Sequence, residues 1–168
     1  MRLIAIDPGT EKSAWVVLSD GDVLDFGIYM NEAMLNRLRL RLGSVVDTEV
    51  LAIEMVACYG MPVGLEVFET CVWTGRFIEA WGGPWHRVYR KDLKLHLCGT
   101  TRAKDKNVRA ALIDRFGPGK AKAIGVKAKP GPLYKVSKDV WQALGVAVYF
   151  ADEAKRKALV GSQVDVVA

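Results

Sequence analysis

A chain of 168 residues, 51% of them hydrophobic, is long enough for one compact domain with a two-sided core and short for two, so one domain over 1–168 is expected. No apolar run nears the roughly 20 residues that cross a bilayer, and no basic leader precedes an apolar stretch, which points to a soluble, cytoplasmic protein with no membrane partner. The net charge of +5 is unevenly held: from Arg87 to Lys138 fifteen Lys and Arg stand against three acids, while the remainder carries nine basic residues and sixteen acids. A chain that separates charge in this way presents a cationic face, suited to a polyanion that sheds condensed counterions on binding. The three cysteines, Cys58, Cys71 and Cys98, show neither Cys-x-x-Cys spacing nor a nearby histidine pair, so zinc and a disulfide framework are poorly supported and free, mostly buried thiols are expected.

In chain order, Leu3 to Ile6 is an apolar run that reaches Asp7 and is broken by Pro8-Gly9, as a buried strand ending on an acid would be. Ser13 to Leu18 is rich in strand formers, Asp20-Gly21-Asp22 supplies a turn, and Val23 to Tyr29 forms a third strand, completing an antiparallel meander. Asn31 is placed to cap a helix over Glu32 to Leu42, with Met34, Leu35, Leu38 and Leu42 inward. Glu49 to Ile53 is a fourth, largely apolar strand that delivers Glu54. Pro62 is placed at a helix start, and Val63 to Trp81 has the length and spacing of a long helix stopped by Gly82-Gly83-Pro84. Arg87 to Tyr89 fits a fifth strand, followed by a short helix over Lys91 to Leu97 and another over Lys104 to Phe116. From Gly117 to Tyr134 the composition is glycine, proline and lysine with few apolar residues, which predicts a basic mobile loop. Ser137 then caps a final helix from Lys138 to about Leu159. Three strands, helix, strand, helix, strand and helices is the order of an α/β, RNase H-like fold: a mixed five-stranded sheet with helices on both faces.

Asp7 ends the first strand, Glu54 the fourth, and Asp139 opens the last helix. If the first and fourth strands are neighbours, both carboxylates leave one sheet edge, and a helix N-terminus packed there brings Asp139 beside them. Hard oxygen donors without His or Cys favour magnesium, with manganese as a substitute, over zinc. Two such ions about 4 Å apart would activate a water and stabilise the leaving oxygen in phosphodiester hydrolysis.

The segments Leu-Ile-Ala-Ile-Asp-Pro-Gly-Thr (3–10), Leu-Ala-Ile-Glu (51–54) and Lys-Asp-Val-Trp-Gln-Ala-Leu-Gly-Val-Ala (138–147) resemble the carboxylate motifs of RuvC-type Holliday junction resolvases. Tyr-Gly-Met-Pro-Val-Gly (59–64), Phe-Glu-Thr-Cys-Val-Trp-Thr-Gly-Arg-Phe (68–77) and His-Leu-Cys-Gly-Thr-Thr-Arg-Ala-Lys-Asp (96–105) are most similar to the bacteriophage branch, which would place the protein in a bacterial host's cytoplasm. The resemblance implies a homodimer that nicks symmetric strands of four-way junctions and other branched DNA, with Asp7, Glu54 and Asp139 as metal ligands and no further small-molecule cofactor. The family has another acid one helical turn after the third; here Gln142 stands there, offering a neutral oxygen. The resemblance also implies a junction-probing aromatic after the second carboxylate, for which Tyr59 is the nearest candidate. Phosphate contacts are implied between the fifth strand and the next helix, where Lys91, Lys94, Arg102, Lys104 and Lys106 fall. Lys120, Lys122, Lys127 and Lys129 of the basic loop are further DNA-binding candidates. The long helix from Val63 to Trp81 is either the dimer element, with Phe68, Val72 and Gly75 at the contact, or a cover for the sheet.

Three other readings stay open. Asp7-Pro8-Gly9-Thr10 matches the phosphate loop of actin and sugar-kinase nucleotide-binding modules, although those enclose ATP between two such domains. A catalytically silent DNA-binding protein would keep the fold while Gln142 has removed one acid. An RNase H-like enzyme acting on RNA or hybrid duplexes would share the ion chemistry.

Overall fold

The computed structural model describes residues 1–41, 43–45 and 47–164. Five strands form the main sheet: β1 (Arg2–Asp7), β2 (Lys12–Ser19), β3 (Asp22–Met30), β4 (Val50–Met55) and β5 (Trp85–Tyr89). Their order is β3-β2-β1-β4-β5. β1 pairs antiparallel with β2 and parallel with β4, β2 antiparallel with β3, and β4 parallel with β5. The helices are α1 (Asn31–Leu40), α2 (Leu65–Trp81), α3 (Arg90–Cys98), α4 (Asp105–Phe116), α5 (Lys120–Ala123) and α6 (Val140–Val164). Among the described residues no helix is long and apolar enough to cross a membrane.

Period-two alternation sorts the central strands into two cores. Ile4, Ile6, Trp15, Val17, Leu51 and Ile53 face one side, where Met34, Leu35 and Leu38 of α1 and Phe77 and Trp81 of α2 cover them. Leu3, Ala5, Ala14, Val16, Val50 and Ala52 face the other, against α3, α4 and the buried stripe Val140, Leu144, Ala147 and Ala151 of α6. Burial on both faces explains why β1 and β4 read as unbroken apolar runs rather than alternating ones. Each fully buried Ile or Leu there contributes about 1.5–3 kcal/mol. The alanines on the second face let α6 lie close to β1, β2 and β4.

Several sequence expectations are corrected. Asn31 does not cap α1: its side chain accepts a hydrogen bond from Ser13 Oγ at 2.7 Å and donates to the Gly9 carbonyl at 2.9 Å. This ties the turn after β1 to the start of α1. Gly9 is required there, because a Cβ would stand 2.5 Å from the Lys12 carbonyl oxygen. Leu42, expected inward on α1, lies outside the described residues. Pro62 stands ahead of α2, which starts at Leu65 after an extended Gly64. α6 begins at Val140 and runs to Val164; the Ser137 carbonyl, not its hydroxyl, receives the Val140 N–H at 2.9 Å.

The basic segment 117–134, expected as a loop, carries α5 and a small hairpin of β6 (Gly125–Val126) and β7 (Lys129–Pro130). Its two apolar anchors, Ala123 and Leu133, are fully buried in the α6-side core, and the Leu133 N–H bonds the Ala123 carbonyl at 2.8 Å. The cysteines are free, but Cys58 is exposed and Cys71 and Cys98 only partly buried, against the expectation of mostly buried thiols.

Candidate active site

Strand register decides where the first two acids fall. Ile6 pairs with Ile53 in the parallel β1/β4 ladder, so the next step sets Asp7 beside Glu54. Alternation then turns both side chains toward the face shared by Leu3, Ala5, Val50 and Ala52, which is the face that α6 covers. β5 runs parallel to β4 and pairs Tyr89 with Met55. The residue that follows it, Arg90, therefore arrives at the same edge as the first residue of α3. α4 starts there too, with Asp105 in its first turn.

The Arg90 guanidinium is the hub of this edge. It donates to Glu54 Oε1 and Oε2 at 3.2 and 3.5 Å and to Asp105 Oδ1 at 2.7 Å. Lys94 Nζ stands 3.9 Å from the same Asp105 oxygen. Glu54 is buried and Asp7 half-buried. Burial, the neighbouring Glu54 charge and, more weakly, Asp139 and Asp105 push the Asp7 carboxyl up to about 8, against the pull of Arg90. Burial also raises Glu54, with Arg90 opposing. Arg90 loses to burial but gains more from Glu54 and Asp105, and is held above its ordinary value. Two carboxylates forced together with too little positive charge around them is an electrostatic deficit that a cation relieves.

Asp139 precedes α6, its carbonyl receiving the Gln142 and Ala143 N–H groups at 2.9 and 3.2 Å. Lys138 before it is in the left-handed region at φ 37°, which swings the chain into the helix. The Asp139 side chain is exposed, and its charge bears on Asp7. Among the described residues, no three Asp, Glu, His or Cys side chains are gathered closely enough to hold a metal ion. Gln142 is partly buried, and its Oε1 is a buried oxygen with no hydrogen-bond partner. It lines an open cleft of about 450 Å³ together with Asp105, Lys106, Arg109, Ser137, Lys138 and Trp141. The hard carboxylate oxygens of Asp7 and Glu54 are donors of the kind that magnesium or manganese takes, while the orphaned Gln142 oxygen faces the cleft beside Asp105.

The Thermus thermophilus RuvC structure superposes with a TM-score of 0.68 at 18% identity, covering 94% of this chain and 97% of that one. T. thermophilus RuvC in complex with Holliday junction substrate gives 0.69 at 17% identity, covering 94% and 96%. The fold is the RNase H-like fold of RuvC. No protein-family model and no curated protein sequence matches the chain.

On this RuvC fold the remaining sequence-derived candidates fall as follows. Tyr59 lies in the loop after β4, 63% exposed and in the left-handed region at φ 47°. It lines a cleft of about 250 Å³ with Glu54 and Arg90, and Lys91 Nζ stands 5.9 Å from its ring centroid. Arg102, Lys104 and Lys106 line a separate cleft of about 350 Å³ at the start of α4. The Lys104 N–H donates to Asn107 Oδ1 at 3.0 Å, closing the first turn of that helix. Lys120, Lys122, Lys127 and Lys129 are exposed on α5 and the small hairpin.

Sequence reasoning missed Arg90, Asp105 and Arg109, whose guanidinium sits 4.9 Å above the Trp141 ring. A signal for Arg90 existed. Any residue directly after a strand parallel to β4 must land at the edge that carries Glu54.

Proposed function

We propose that the protein is a divalent-metal-dependent endonuclease that nicks four-way junctions and other branched DNA, acting in the cytoplasm as a homodimer. One observation carries the reading: the parallel β1/β4 register places Asp7 and Glu54 together at a charge-deficient edge of a fold shared with RuvC. RuvC has been captured with a Holliday junction substrate, and the basic stretch from Arg87 to Lys138 supplies a cationic surface for such a polyanion. The bacteriophage branch rests on segments 59–64, 68–77 and 96–105 alone.

Asp7 and Glu54 would hold magnesium or manganese, and the exposed Asp139 and the Gln142 amide oxygen would have to close on the ion to join them. Bound there, the metal would polarise the scissile phosphate, lower the pKa of a water and stabilise the leaving oxygen. The protein's own groups do the rest. Before metal binds, Arg90 fixes the Glu54 carboxylate, while Lys91 and Lys94 of α3, Arg102 and Lys104 of the turn after it and Lys106 of α4 would present cations to the flanking phosphates. Tyr59, exposed in its loop beside the Glu54 cleft, would meet an unstacked base at the branch point.

α2 covers the sheet and would also serve as the dimer element. Phe77 and Trp81 cover the sheet, while Leu65, Phe68 and Val72 form an exposed stripe on the opposite side, 73%, 58% and 57% exposed. The spacing of these three residues is that of a helix–helix seam, which supports the homodimer.

The test incubates the protein with magnesium and labelled four-way junctions, three-way junctions, linear duplex and hybrid duplex. Paired nicks confined to branched DNA are expected. Junction binding without cleavage would instead favour the silent DNA-binding protein, a reading supported by Gln142 in place of an acid and by the ion pair that occupies Glu54. Cleavage of hybrid duplex alone would favour an RNA-directed enzyme.

A further inference from the structure

We infer that Arg90 is a built-in counter-cation that positions Glu54 and competes with the divalent ion for it. This rests on the metal site proposed above and adds a residue and an exchange to it. Arg90 is the only side chain that hydrogen-bonds Glu54 among the described residues, and its fork is divided: one limb holds the buried carboxylate, the other Asp105. Asp105 is 62% exposed and Glu54 9%, so the guanidinium spans from the interior of the site to solvent with an anchor at each end. A buried carboxylate stripped of its partner costs several kcal/mol. The chain therefore needs some cation at Glu54 whether or not metal is present, and Arg90 meets that need.

The same contact sets a cost for metal binding. A divalent ion approaching Glu54 meets a positive charge about 3–4 Å from the oxygens it must take, and must displace one guanidinium limb. The Asp105 anchor keeps the displaced Arg90 tethered at the rim, where its freed N–H groups face any phosphate that arrives with the metal. Planar, bidentate donors suit a phosphate better than a lysine would. Lys94, 3.9 Å from Asp105, maintains positive charge on that anchor as the limb leaves.

The test measures the thermal midpoint of the full-length protein against magnesium chloride concentration, without DNA, for the wild type, Arg90→Gln, Arg90→Lys and Asp7→Asn. Arg90→Gln is expected to lower the half-saturating magnesium concentration about fivefold to tenfold, while Arg90→Lys, which keeps the charge, stays within about twofold of the wild type. A wild type that responds no more than Asp7→Asn sinks the metal site itself. A responding wild type with an unchanged or raised half-point in Arg90→Gln overturns the role given to Arg90. If Arg90→Gln does not fold, the wild type decides alone: guanidinium NMR signals assigned to Arg90 are expected to move during magnesium titration with the thermal midpoint's concentration dependence. Signals that stay fixed through saturation overturn the proposal.

Discussion

At residue scale, the behaviour of Asp7 follows from its burial and four neighbours, Glu54, Arg90, Asp139 and Asp105. Its carboxyl titrates near 8 in the folded chain against an ordinary value of 3.8. The folded protein thus retains a proton that the unfolded chain has released, and the stability linked to it is complete below about pH 4 and lost as pH rises through 8. Asp7→Asn, which removes the charge and keeps the shape, is expected to raise metal-free stability at pH 8 by on the order of 2 kcal/mol. Thermal melts from pH 4 to 9 check this; the gain should shrink toward zero at the acid end. The same variant should lose at least about a thousandfold in cleavage while junction affinity changes less than about threefold, because phosphate contacts position the DNA and lie elsewhere. Asp7 and Glu54 were legible in the sequence because an acid ending a buried apolar run needs a partner. Arg90 was legible only once the fifth strand is taken as parallel to the fourth, and Asp105 was not, since the placement of α4 is encoded by no local pattern.

At element scale, composition misled where two residues sufficed to organise a segment. The stretch 117–134 is glycine, proline and lysine, yet Ala123 and Leu133, both fully buried, pin α5 and the small hairpin to the α6-side core. Window-averaged hydrophobicity does not register two anchors among so many polar neighbours. Its lysines remain outward, and changing Lys120, Lys122, Lys127 and Lys129 together to Ala is expected to weaken branched and linear DNA alike. The slope of log affinity against log salt should become shallower by about two to four, at roughly 0.9 per lost phosphate contact; an unchanged slope in binding titrations at several salt concentrations would remove this surface from the DNA path. α2 was readable as a long apolar helix, but not which face covers the sheet, since both faces carry apolar residues. Phe68→Glu should weaken self-association at least about thirtyfold while the melting temperature extrapolated to monomer changes little. Sedimentation analysis that finds the variant still dimeric would move the interface away from α2.

At the scale of the whole molecule, the strand and helix order already implied the layered sheet, and the structure supplies what that order lacks: the crossing of β1 next to β4 and the approach of α6 over their shared face. That crossing converts residues distant in sequence into one edge carrying Asp7, Glu54, Arg90 and Asp105. The phosphate-loop alternative fares less well, because the Gly9 N–H faces Ser13 Oγ at 3.3 Å and its carbonyl is taken by Asn31, so the turn after β1 is closed on itself. What the edge retains is unbalanced acidity beside a basic surface, the combination expected where a cation and a phosphodiester meet. The most direct measurement is anomalous diffraction from crystals of the full chain grown with manganese. Manganese is expected within roughly 2.0–2.3 Å of oxygens of both Asp7 and Glu54, with Arg90 withdrawn from Glu54. Saturated crystals with no manganese at this edge, and Glu54 still paired with Arg90, would contradict the account.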